Sequence, residues 1–115
     1  MFYLVKVLIG RAVVSLDRPF DYYSEEDDIQ EGMRVLVPFG HSESTVGFVL
    51  EPPIPIEMDV DSYNKEHGIR LAKILRRIDE EPLLNPSLIA LAKRMSEYYA
   101  CDLIKILNAF LPPAL

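Results

Sequence analysis

The chain has 115 residues, half of them hydrophobic and 26% charged, with a formal net charge of −6. This is enough apolar material for one small core, and the charged fraction is that of an ordinary soluble domain. No apolar run approaches the roughly 18–20 residues of a membrane span, the single cysteine, Cys101, excludes an internal disulfide or a cysteine-based zinc site, and the start lacks the basic region and cleavage site of a signal peptide. A cytoplasmic protein is expected. The charge is uneven: residues 1–69 carry a net −8 and residues 70–115 a net +2. Bulk electrostatics therefore cannot hold nucleic acid over the whole surface, and any DNA must be held at a local pocket.

In chain order, residues 2–9 are a nearly continuous apolar run broken by Lys6, which predicts a buried strand. Gly10 breaks the pattern, and Arg11 to Leu16 continue as a bent strand or loop. Pro19 fixes its own φ and biases Arg18 toward an extended form, so Phe20 to Tyr23 reads as a short strand with aromatic residues on both faces. An acidic turn, Ser24 to Asp28, leads through Gly32 into a hairpin. Its first strand is Arg34 to Val37, ended by Pro38, which cannot donate to a ladder. Gly40 permits a tight turn or the close approach of another group. Val46 to Leu50 forms the return strand.

Residues 51–68, with Pro52, Pro53 and Pro55 followed by acidic residues, read as a long solvated loop. Residues 69–78 are ambiguous, because Leu71, Ile74, Leu75 and Ile78 fit one face of a helix while the length also suits a strand. Asn85-Pro86 is a strong helix start, with Asn as N-cap and Pro at the first position. Leu88, Leu91, Ala92, Met95 and Tyr98 or Tyr99 follow at helical spacing. Asp102 opens a second helix, with Leu103, Ile106, Leu107, Phe110 and Leu111 as its apolar stripe, and Pro112-Pro113 closes it.

No phosphate-binding Gly-x-x-x-x-Gly-Lys-Ser/Thr loop and no Gly-x-Ser-x-Gly elbow is present. His41 and His67 stand in separate segments with no partner at a ligand spacing, so no metal, cofactor or catalytic activity is expected. Asp21, a carboxylate embedded among aromatic residues, is the titratable group of most interest.

Four segments in order carry a resemblance: Pro19-Phe20-Asp21-Tyr22; Gly32-x-Arg34-Val35-x-Val37-Pro38-Phe39-Gly40; Gly47-x-Val49; and Ile78-Asp79-Glu80-Glu81-Pro82-Leu83-Leu84. Tyr98-Tyr99 and Ala109 to Pro113 extend it. Together they resemble the N-terminal DNA-binding domain of PriA, the primosomal protein N′ family of replication-restart helicases. That resemblance implies an α+β fold, a small open antiparallel β-barrel of OB type in residues 1–80 followed by a helical pair in residues 81–115. It implies recognition of the 3′ end of the nascent leading strand at stalled or branched forks. The helicase body and other primosome proteins would be further partners, without contact to membrane. The ATPase would lie elsewhere in a longer protein acting at the nucleoid. The implied end-binding residues are Phe20, Asp21, Gly40 and a lysine. The family places that lysine seven residues before Asp79, where this chain has Ala72. Lys73 is expected to take the role, with Arg70 as substitute, and the resemblance makes residues 70–78 a strand. The competing reading is a protein-docking module of the primosome that ignores DNA ends, which the acidic residues 1–69 favour.

Overall fold

The computed structural model describes residues 1–9, 20–39, 43–99 and 102–111. In chain order the elements are β1 (Phe2–Ile9), β2 (Phe20–Ser24), β3 (Arg34–Pro38), β4 (Ser44–Val49), β5 (Ile54–Ile56), α1 (Val60–His67), β6 (Ala72–Lys73), β7 (Arg76–Arg77), α2 (Pro86–Tyr99) and α3 (Leu103–Ala109). The strands form one curled sheet in the order β6-β2-β1-β4-β3-β7, with β5 added beside the start of β1. All pairs run antiparallel except β2 with β6, which run parallel. The result is a small OB-like barrel with helices outside it.

The apolar run of β1 follows from its central position. Val5, Val7 and Ile9 point into the barrel, with Val35, Val37, Val49, Tyr22 and Ile74 around them. Successive strand residues face opposite ways, so Phe2, Leu4 and Leu8 point outward, and each has its own cover. Leu8 packs beneath α2 and α3, with Leu103, Ile106 and Leu107 among its neighbours. Phe2 and Leu4 pack beneath the α1 segment, against Met58, Val60 and Tyr63. Lys6 shares this outer face and falls between the two covers.

Residues 51–68 depart from the expected long loop by forming β5 and α1. The reason lies in the caps. The Asp59 carboxylate accepts the Ser62 N–H at 3.0 Å, and Gly68, at φ 64°, closes the helix in the left-handed region. Pro55 is tolerated because β5 has only β1 as a partner. Residues 69–78 do not form the helix that their spacing allows. Their short strands link the two sides of the barrel: the Ile74 N–H donates to Tyr23 O on β2, and the Leu75 N–H donates to Leu36 O on β3, each at 2.9 Å. Ile74 is buried inside, whereas Leu75 is exposed, so the apparent helical stripe is split between two environments.

The hairpin of β3 and β4 and the helices α2 and α3 lie where the sequence places them. Asn85 caps α2, accepting the Leu88 N–H at 2.8 Å. The face that α2 buries centres on Ile89 and Ala92, while Leu91, Tyr98 and Tyr99 are exposed. Gly32, at φ 90°, has no room for a side chain, since a Cβ there would sit 1.8 Å from the Leu84 carbonyl oxygen. Its own carbonyl accepts the Leu83 N–H at 3.1 Å, which ties the approach to α2 onto the hairpin. The expected bent strand at residues 11–16 lies outside the described residues.

Candidate nucleic-acid interface

Phe20 opens β2 and lies level with Val7 of β1. Its ring is half-buried at the barrel rim and meets Phe39 edge-to-face, with centroids 5.7 Å apart. Phe39 follows the last residue of β3, and its N–H donates to Glu43 O at 3.1 Å across the hairpin tip. Tyr22, two residues on along the same face, is buried and donates its hydroxyl to Pro38 O at 3.0 Å. Burial raises the Tyr22 phenol above its ordinary pKa, so it remains a donor and fastens the end of β3 to β2. The result is a firm aromatic rim made from two strand ends.

Asp21 points the other way, onto the outer face, directly across from Lys6 on β1. Lys6 Nζ donates to Asp21 Oδ1 at 2.7 Å, with the two side chains 31% and 42% exposed. The pair occupies the gap between the α1 cover and the α2–α3 cover. A carboxylate has several acceptor positions, and one lysine contact leaves the others open. Phe20 and Asp21 are thus neighbours in sequence on opposite sides of one strand, close together only around the rim at the start of β2.

Lys73 lies beside β2, level with Tyr23 in the parallel pair, and its exposed ammonium is 3.5 Å from Glu25. Ala72, at the position where the resemblance leads one to expect lysine, packs against the barrel core. Lys73 and Asp21 therefore share the outer face. Arg70 is exposed just before β6. Gly40 lies outside the described residues. Lys6 is the cation that sequence reasoning missed. The signal for it was the one charge interrupting an apolar run, but its partner is 15 residues away and reached only through strand pairing.

Two of the recognition segments meet elsewhere. Arg34 of the hairpin and Asp79 of the Asp-Glu-Glu-Pro segment form a clasp. Asp79 accepts the Arg34 backbone N–H at 2.9 Å, Nε–H at 3.1 Å and Nη2–H at 2.9 Å. The side chains are only 18% and 9% exposed. Burial works against the charged carboxylate. The hydrogen bonds from the Arg34 side chain and backbone outweigh it and hold Asp79 below the usual carboxylate range. The hydrogen bond to Asp79 likewise raises Arg34 above its ordinary value. Such a saturated carboxylate has little left to offer a ligand. It locks β3 to the segment that follows β7.

Among the described residues no group of three His, Cys, Asp or Glu could hold a metal ion, and no helix is long and apolar enough to cross a membrane. His67 ends α1, stacked on Tyr63 with Nδ1 3.0 Å from the Tyr63 carbonyl oxygen.

Curled sheet, aromatic rim and adjoining carboxylate define a small OB-like binding module. A family model described as the 3′DNA-binding domain (3′BD) of PriA matches residues 6–112. The chain is also 32% identical over 109 residues to the replication restart protein PriA of Haemophilus influenzae, a match covering 94% of this chain and 14% of that protein. The chain belongs to the PriA 3′DNA-binding domain family.

Proposed function

We propose that this chain recognises the 3′ end of the nascent leading strand at stalled or branched replication forks, as the end-reading part of a longer replication-restart helicase. The observation that carries this reading is an exposed carboxylate, Asp21, next to a rim ring, Phe20, in a chain of a 3′DNA-binding domain family. A terminal nucleotide would straddle the start of β2, its base against the Phe20 rim and its sugar over Asp21. Stacking on an aromatic ring is worth roughly 1–3 kcal/mol per base and tolerates any base. Asp21 would accept the 3′-hydroxyl hydrogen and repel a 3′-phosphate, so the site would read an end rather than a sequence. Lys6 would hold the carboxylate in place, and Lys73, on the same face but shared with Glu25, would add positive charge beside the sugar. Gly40 keeps the role that the resemblance gives it, close approach to the sugar.

In this reading the barrel of residues 1–80 carries the end site. The helical residues 81–115 brace it and, with the exposed Tyr98–Tyr99 pair, offer a surface to the helicase body or other primosome proteins. The domain itself binds rather than catalyses. It would act in the cytoplasm, at the nucleoid. A pure docking module is the second reading, favoured by the net −8 of residues 1–69.

Fluorescence anisotropy with one short single strand ending in either a 3′-hydroxyl or a 3′-phosphate separates the two. End recognition requires tighter binding of the hydroxyl form. Equal affinity, or none for either, would leave the docking reading.

A further inference from the structure

Between Ile69 and Asp79 the chain holds Arg70, Lys73, Arg76 and Arg77 and no acidic residue. In a protein of net charge −6 this concentration is out of proportion, and it falls on the stretch that bridges β2 and β3. The four cations are not equivalent. Lys73 is shared with Glu25 at 3.5 Å, and Arg77 with Asp28 at 3.1 Å. The side chains of Arg70 and Arg76 are exposed and have no hydrogen-bond or ion-pair partner among the described residues. An exposed ion pair is worth little to folding, and two unpaired arginines contribute less, so packing does not account for them.

We propose that residues 70–77 form a second DNA contact, a basic ribbon that grips the phosphodiester backbone whether or not the strand has an end. This rests on the DNA-binding reading above and extends it from the terminal nucleotide to the strand behind it. β6 lies beside β2, the strand that carries Phe20 and Asp21, so the ribbon starts next to the end site and leads away from it toward β3. Arginine suits the task because its planar guanidinium bonds phosphate in two-pronged fashion. The acidic turn sets the strength of the grip. With Lys73 and Arg77 engaged by Glu25 and Asp28, two cations remain free, which is a weak, salt-sensitive hold that positions a strand without trapping DNA lacking an end.

The test uses a covalently closed circular single strand, which offers no 3′ end. With two phosphates neutralised, the affinity of the 115-residue chain for the circle should fall with salt at a log–log slope of about −1.4, and each arginine should be worth about fourfold at 0.15 M salt. The Arg70→Gln, Arg76→Gln double variant should bind the circle more than tenfold more weakly, and Arg76→Gln alone, which lies outside the end site, should keep the wild-type preference for a 3′-hydroxyl over a 3′-phosphate on linear strands. Glu25→Gln with Asp28→Asn should bind the circle more tightly, because Lys73 and Arg77 are released. If the double variant binds the circle and linear strands as the wild type does, while the hydroxyl preference persists, the ribbon is overturned and the end site stands. If the wild type binds neither circle nor linear strand at low salt, both fall.

Discussion

Two of the aspartate–cation pairs in this barrel draw on segments that mark the family, and they differ in almost every physical respect. Asp79 and Arg34 make three hydrogen bonds in near-complete burial and join segments 45 residues apart. Asp21 and Lys6 make one hydrogen bond across a strand pair, in a gap left between two helical covers. The first carboxylate has its acceptors filled by its own chain, whereas the second keeps acceptors free for a visitor. Of the two segments, the more distinctive Gly-x-Arg-Val-x-Val-Pro-Phe-Gly supplies the clasp, and the short Phe-Asp-Tyr supplies the candidate site. Distinctiveness of a motif thus follows how many geometric demands it meets at once, here the Gly32 turn, the Arg34 clasp and the Pro38 strand end. A binding carboxylate needs only exposure and a firm backbone.

Substitutions can break this contrast, and the largest effects belong to the scaffold. Gly32→Ala places a Cβ against the Leu84 carbonyl at a positive φ and should destabilise by more than about 4 kcal/mol, giving an unfolded or barely folded chain by circular dichroism. Leu107→Ala, a fully buried residue beneath the outer sheet face, should lower stability by about 2–5 kcal/mol in urea melts without altering preference among DNA ends.

Asp79→Ala should lose about 3 kcal/mol, the lower end of the range for a broken buried pair, because Arg34 retains some solvent. The clasp also has a pH signature. Asp79 titrates lower in the folded chain than its unfolded value of about 3.9. Its contribution is therefore fully present above that value and lost as pH falls through the depressed folded one. Wild type should lose stability steeply below about pH 4, and Asp79→Asn should show a shallower acid limb. The smallest stability change belongs to Asp21→Ala, within about 0.5 kcal/mol as for an exposed pair, although the preference for a 3′-hydroxyl should vanish. Phe20→Ala should weaken hydroxyl and phosphate ends alike, by roughly 1–3 kcal/mol.

Much of this architecture was legible in the sequence wherever a local rule decided it. Period-two alternation gave the hairpin, Pro38 its stop, and Asn85-Pro86 the start of α2. What escaped depended on partners distant along the chain. α1 is short and buries no residue of its own, so its polar sequence read as a loop despite the Asp59 and Gly68 caps. Residues 69–78 carry helical spacing, so only the family resemblance made them a strand; their hydrogen bonds to β2 and β3, strands formed more than 30 residues earlier, hold them extended. The Asp21–Lys6 pair depends on the register of β1 against β2, which brings together residues 15 apart in the chain. The opposite facing of Phe20 and Asp21 was available in the strand period itself, and it sets the two side chains on either side of a rim rather than in one pocket.

The central claim is that Asp21 reads the DNA end while Asp79 only holds the barrel. It is tested most directly by the ratio of affinities for 3′-hydroxyl and 3′-phosphate strands in Asp21→Asn and in Asp79→Asn, each measured at a temperature where circular dichroism shows it folded. The ratio should collapse toward one in Asp21→Asn and stay at the wild-type value in Asp79→Asn. A ratio preserved in Asp21→Asn, or lost equally in both variants, would contradict it.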